Sequence, residues 1–142
     1  MPGKPLFLVI EDDEPRIDFL RETFGTYVEI EWAVSVRAFL AAAESISPRR
    51  LAAVIWDHDL GAVGHNRDAD GLRGIDAAKV VDLPRHIYQL IWSLNPVGAK
   101  NIYRELAGRG YTSVDCVEAK TANRAALAAR LTSAILAWRR AQ

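Results

Sequence analysis

The sequence predicts a doubly wound α/β domain, a parallel β-sheet with helices packed on both faces. Three observations lead there. Apolar runs of strand length alternate with stretches of helical periodicity along the chain, the sequence sign of βαβ units. The run Leu51-Ala52-Ala53-Val54-Ile55-Trp56 is apolar at every position, as suits a central parallel strand covered on both sides. Acidic clusters stand where two strands run out: Glu11-Asp12-Asp13 after Leu6-Phe7-Leu8-Val9-Ile10, and Asp57-His58-Asp59 after Trp56. In such folds ligands bind in the crevice beyond the carboxyl ends of the strands.

The first strand is followed by a helix in which Ile17, Leu20 and Phe24 fall at helical spacing and Gly25 supplies a stop. Val28, Ile30 and Trp32 then alternate on one face of a short second strand over 27–33. Ser35 suits the N-cap of a helix carrying Val36, Phe39, Leu40 and Ala43, which Ser47-Pro48 ends. After the third strand, 51–56, the segment from Gly61 to Gly74 holds four glycines, two aspartates and one histidine without apolar periodicity. It reads as a loop, and one this long is more often a lid or binding loop than a plain connection. A short helix over 75–81 and a fourth strand over 87–92 follow. Asn95-Pro96 opens the next helix, with Asn as N-cap and Pro at the first helical position. That helix runs to Gly108 or Gly110. A fifth strand covers about 112–117, and Leu127, Leu131, Ala134, Ile135 and Trp138 mark a final amphipathic helix. The expectation is five strands and five helices, with Trp138 in the core.

With 142 residues, half of them hydrophobic, the chain suits one domain spanning 1–142. Lys plus Arg and Asp plus Glu both number 18, so no global field draws the protein to nucleic acid or to an anionic membrane. Cys116, the only cysteine, lies in a predicted strand. It forms no internal disulfide, fits a reducing compartment and is expected as a small buried residue. The first apolar run stops at a carboxylate after five residues, too short for a signal peptide or a membrane span. A soluble, cytoplasmic protein is expected.

If the first and third strands are parallel neighbours, their carboxylates converge. Two carboxylates about 4 Å apart repel by roughly 4 kcal/mol at an effective dielectric near 20, so the cluster takes up a proton or a metal. Oxygen ligands select a hard cation, and magnesium is the natural resident, held by carboxylates from Glu11, Asp12, Asp13 and Asp57 with waters completing its shell. Ser93 after the fourth strand can donate to a phosphoryl oxygen, and Lys120 after the fifth can neutralise charge developing on it. Asp57 is then nucleophile or ligand. Each feature has a structural alternative: the first acids suit a helix N-terminus, and Asp57-His58-Asp59 suits a turn. Their coincidence at successive strand ends favours a site. His58 between two acids and His65 in the loop are candidates for proton transfer, whereas His86 reads as a surface residue. No spacing of His or Cys suggests zinc.

Val9-Ile10-Glu11-Asp12-Asp13-Glu14-Pro15 and Val54-Ile55-Trp56-Asp57-His58-Asp59-Leu60-Gly61 resemble the acid-pair and phosphoacceptor segments of response-regulator receiver domains. The resemblance covers nearly the whole chain. It implies a flavodoxin-like α/β sheet of order 2-1-3-4-5, with Glu11 and Asp12 (or Asp13 for Glu11) as the acid pair. It further implies Asp57 as phosphoacceptor, Ser93 as switch hydroxyl, Lys120 as the family's lysine, and Mg2+ as cofactor. Thr121 and Gly61 stand where receivers usually have proline. The segment Trp92-Ser93-Leu94-Asn95-Pro96-Val97-Gly98, absent from ordinary receivers, together with Asp57-His58-Asp59-Leu60-Gly61 resembles cyclic-phosphate processing receiver domains. Their members pair an Asp-His-Asp-Leu-Gly segment with a His-Ser-x-Asn-Pro-x-Gly segment. That likeness adds His58 and Asp59 to the catalytic set of Asp57, Ser93 and Lys120. Asn95, Gly98 and Lys100 then join Ser93 and Lys120 in binding phosphate at a helix N-terminus, with Gly98 allowing close approach of substrate. Trp92 replaces the expected histidine.

The leading expectation is therefore a magnesium-dependent receiver-like domain that binds or processes a phosphate ester, a cyclic phosphate among the candidates. The alternative is a receiver phosphorylated on Asp57 in two-component signalling, and a third reading is an interaction module with remnant acids. Expected partners are a small phosphorylated molecule or phosphodonor, a histidine kinase or other protein partner, and, by analogy with receivers, a second copy of the chain.

Overall fold

The computed structural model describes residues 3–60 and 67–142. Its regular elements in order are β1 (Leu6–Ile10), α1 (Glu14–Phe24), β2 (Glu29–Ala33), α2 (Val36–Ser45), β3 (Leu51–Trp56), α3 (Gly74–Ala78), β4 (Tyr88–Ser93), α4 (Pro96–Gly108), β5 (Val114–Glu118) and α5 (Arg124–Arg140). Single 3-10 turns at Pro48–Arg50 and Thr121–Asn123 lead into β3 and α5. The strands form one sheet of order β2-β1-β3-β4-β5, all parallel. This is the expected flavodoxin-like architecture with its five helices.

Alternation along the strands divides the interior into two cores. Leu6, Leu8, Ile10, Val54, Trp56 and Ile91 point to the face covered by α2, α3 and α4. Phe7, Val9, Ala53, Ile55, Leu90 and Trp92 point to the face covered by α1 and α5. Both faces of β1 and β3 are fully buried, which is why these strands carry no polar residue. Each fully buried Leu, Ile or Phe contributes about 1.5–3 kcal/mol of transfer free energy, so the central strands are the rigid part of the scaffold.

Helix starts follow their capping residues. Asp13, Ser35 and Asn95 accept from the backbone N–H three residues on, and Pro15 and Pro96 occupy early helical positions. Several expectations need correction. The helix placed over 75–81 is shorter, Gly74–Ala78. Gly25 follows α1 with φ −58, so it ends the helix without the left-handed cap that glycine usually supplies. Cys116 is exposed, because β5 is an edge strand and its α4-facing side opens on a shallow cleft shared with Lys100 and Tyr103. Trp138 is half-buried against the α5 core, its indole N–H donating to the Arg49 carbonyl at 2.8 Å.

Residues 61–66, including His65, lie outside the described residues. The rest of the expected loop is tied down by Asp68. Its Oδ1 accepts from the N–H groups of Asp70 and Leu72 at 2.8 and 2.9 Å, and its Oδ2 accepts from Val36 N–H at 2.8 Å. Burial raises the pKa of this carboxyl, but those three bonds outweigh it and hold the group below its ordinary value. No helix among the described residues is long and apolar enough to cross a membrane.

Candidate functional site

Strand register alone brings the first acids together. Ile10 lies opposite Trp56, and Trp56 opposite Ile91, so the next residues on the three strands, Glu11, Asp57 and Trp92, line one rim, with Ser93 one step further. Asp57 N–H donates to the Ile10 carbonyl at 3.0 Å and Glu11 N–H to Ala33 at 3.1 Å, which continues the sheet to the site. Glu11 and Asp57 are 1% and 3% exposed. Oxygens of Glu11, Asp12 and Asp57 lie within 4.8 Å of one another. The convergence expected from sequence is present.

Arg16, one turn into α1, supplies the local counter-charge. Its Nη1 lies 3.3 Å from Glu11 Oε2 and 3.5 Å from Asp57 Oδ2, and its Nε 3.8 Å from Asp13 Oδ2. Its guanidinium also stacks over Trp92, 5.9 Å from the ring centre. Burial first, and then the Asp57 charge, push the Glu11 carboxyl up to about 9. Burial pushes Asp57 up to about 6, against the hydrogen bond from Glu11 and the charge of Arg16. Near neutral pH a protonated Glu11 therefore donates to an ionised Asp57.

An all-oxygen set of three carboxylates, one of them held protonated chiefly by burial, fits a hard divalent cation. It also fixes a pH response. Below the ordinary values of 4.5 for Glu11 and 3.8 for Asp57, both are protonated in the folded and unfolded chain and stability is intact. As pH rises toward the folded values of about 6 and about 9, the unfolded chain ionises more readily and stability is lost. In the absence of divalent cations, the melting temperature of Glu11→Gln is expected to rise relative to wild type between about pH 5 and about pH 8.5. Excess Mg2+ shrinks that gap. Parallel melting curves for the two proteins across this range contradict the assignment.

A second cluster starts one residue later and faces α4. His58, 5% exposed, places Nδ1 2.6 Å from Asp59 Oδ1. Asn95 Nδ2 donates to the same Asp59 oxygen at 3.1 Å, and Asn95 Oδ1 caps α4 by accepting from Gly98 N–H at 2.9 Å. A Cβ on Gly98 would sit 2.3 Å from His58 Cγ. The room expected for substrate at Gly98 is thus taken by the imidazole. Gly74 makes a similar approach, since its Cβ would fall 2.1 Å from the Asp57 carbonyl oxygen. Ser93 links the clusters: its Oγ accepts from Asn95 N–H at 3.1 Å, and its hydroxyl hydrogen-bonds the Asp57 carboxylate.

The remaining candidates are spread around this rim. Asp13 caps α1 and pairs with Arg16, outside the convergent carboxylate group. Lys120 Nζ lies 3.2 Å from Glu118 Oε1 with more than half its side chain exposed. The phosphate-binding set divides between two clefts. Asn95 and Gly98 line a cleft of about 540 Å³ between α3 and α4, while Ser93 and Lys100 line one between α4 and β5. Trp92 belongs to the α1 and α5 core on the opposite sheet face from His58, so a histidine there would project away from the His58 cluster. Its indole N–H finds no partner among the described residues. A further cavity of about 580 Å³ lies at the opposite pole beside Leu51, Tyr88 and Trp138, away from every one of these acids.

No protein-family model and no curated protein matches the chain. Solved structures do. A CheY-like response regulator receiver domain from Methanospirillum hungatei JF-1 superposes with TM-score 0.69 at 12% identity, over 99% of this chain and 100% of that one. The chain has the receiver fold. The receiver domain of Francisella response regulator 1452 gives TM-score 0.63 at 16% identity, covering 98% and 100% of the two chains. A DrrB receiver domain gives 0.65 at 13%, covering 94% and 98%. Such low identities establish the receiver fold alone, so the chemistry rests on this chain's own residues. Arg16 is the one of those at the rim that sequence reading missed. It stands five positions from Glu11, and no short motif marks it.

Proposed function

We propose that this domain is a magnesium-dependent phosphoryl acceptor that takes a phosphoryl group onto Asp57 and signals the change to a protein partner. The observation that carries the reading is Asp57 itself. It is buried at the end of the central strand, within 4.8 Å of Glu11 and Asp12 oxygens and hydrogen-bonded to Ser93. The DrrB receiver domain, which has a similar fold, is BeF3-activated.

Glu11, Asp12 and Asp57 would hold the cation. Bound there, it neutralises charge on the transferring phosphoryl group. An Asp57 carboxylate oxygen attacks phosphorus, and the bond from phosphorus to the donor's oxygen or nitrogen breaks, the electron pair leaving with the donor atom. The product is an aspartyl phosphate. Ser93 donates to a phosphoryl oxygen, Arg16 withdraws from Asp57 toward Asp13, and Lys120 exchanges Glu118 for the new dianion. The donor is a phosphohistidine of a kinase or a small acyl phosphate. Incubation with Mg2+ and acetyl phosphate, read by intact mass, is expected to show one acid-labile phosphoryl adduct that Asp57→Asn lacks. No adduct at saturating Mg2+ overturns the reading.

The His58, Asp59 and Asn95 cluster supports a second reading, hydrolysis of a cyclic phosphate. Water's oxygen bonds to phosphorus, one ring P–O bond breaks, and His58, oriented by Asp59, moves the proton. Phosphorus NMR with 2′,3′-cyclic nucleotides is expected to show monoester formation lost in His58→Gln. This reading fails if no cyclic species is opened.

A further inference from the structure

The cleft between α3 and α4 has a charge balance unlike that of the whole chain. Basic and acidic residues are equal in number overall, yet this cleft is lined by Arg73, Lys79 and Arg104 against a single carboxylate, Glu105. None of the three cations forms an ion pair among the described residues. Arg73 is the more telling. Its backbone N–H is satisfied by Asp76 Oδ2 at 2.8 Å, but its side-chain Nε is buried without an acceptor among the described residues. A buried donor left unpaired costs about 1–3 kcal/mol, and native proteins rarely leave one so. Turning the guanidinium toward an oxyanion in the cleft gives that N–H its acceptor.

The rest of the lining suits the same guest. Asn101 adds an amide group, and the α4 N-terminus opens into the cleft at Val97 and Gly98 with its positive dipole end. Two guanidinium groups and an ammonium favour a dianionic, multi-oxygen ligand over a carboxylate or halide, since guanidinium forks match phosphate edges. At about 540 Å³ the space exceeds one phosphate and falls in the range of small-molecule sites.

We propose that the α3–α4 cleft binds the phosphate group of a small phosphorylated molecule through Arg73, Lys79 and Arg104, independently of magnesium and of Asp57. Neither function proposed above assigns these three residues. The cleft shares His58 and Asn95 with the cyclic-phosphate reading but stands or falls separately from phosphoryl transfer to Asp57.

The test uses inorganic phosphate as probe with the full chain, followed by heteronuclear NMR in EDTA. Lys79 and Arg104 are exposed and carry no ion pair among the described residues, so their replacement leaves the fold intact, checked by the melting curve. The expected result is saturable shifting of the Asn95 and Asn101 side-chain amides and of the Arg73 Nε–H. It should be retained in Asp57→Asn and at least tenfold weaker in the Lys79→Glu/Arg104→Glu double variant. Chloride at equal ionic strength should not reproduce it. The proposal is overturned by the absence of saturable shifts in EDTA, by equal binding in the double variant, by loss of binding in Asp57→Asn, or by an equal chloride response.

Discussion

Asp57→Asn takes up no phosphoryl group from acetyl phosphate and, without metal, melts above wild type. The first half follows from chemistry, because the amide offers no nucleophilic carboxylate oxygen. The second half follows from electrostatics. In the wild type, burial and mutual repulsion hold Glu11 protonated, with a pKa of about 9. Removing the Asp57 charge takes away the second of these causes and lowers the Glu11 pKa, while burial still holds it above its ordinary value. Replacing the buried, ionised Asp57 by a neutral amide removes one desolvated charge, worth about 1 kcal/mol after solvent screening. That corresponds to a rise of about 2–4 °C for a chain this size. Differential scanning calorimetry in EDTA checks it, and a lower melting temperature contradicts the repulsive cluster.

Arg16→Ala acts in the opposite sense and more strongly. The guanidinium faces Glu11, Asp57 and Asp13 at once, and only 14% of its side chain is exposed. Truncating one partner of a buried charge group leaves the others uncompensated, which costs about 2–4 kcal/mol, or roughly 5–12 °C. The loss is larger near pH 8 than near pH 5, because protonated carboxyls no longer need the cation. Magnesium restores much of it, and binds several-fold more tightly with no guanidinium to displace. Urea unfolding at both pH values, with and without Mg2+, reads each part. Equal losses at the two pH values, or no rescue by Mg2+, would place the role of Arg16 in packing over Trp92 instead.

The architecture was legible because its signals are local and periodic. Apolar runs such as Leu51–Trp56 and caps such as Ser35 and Asn95 each act within a few residues, and all were realised. The convergence of Glu11 with Asp57 was also legible, since it follows from strand register once β1 and β3 are neighbours. What escaped depends on long-range packing. Arg16 is unremarkable in sequence, and its role appears only when α1 lies over the rim. Cys116 alternates correctly for a buried position but sits on an edge strand beside an open cleft. Gly98 reads as a phosphate-approach residue, whereas its missing side chain accommodates His58, forty positions earlier in the fold's path. Arg73 and Lys79 flank α3 and Arg104 lies in α4, so no spacing rule joins them.

The central claim is that carboxylates from β1 and β3 share one divalent ion, and its most direct test is paramagnetic. Substoichiometric Mn2+, added to isotope-labelled protein, should selectively broaden the amide signals of residues 11–13, 57–58 and 93. Excess Mg2+ should reverse the effect, and Asp12→Asn/Asp57→Asn should lack it. Broadening centred on exposed acids elsewhere, or no selective broadening at all, would contradict the account.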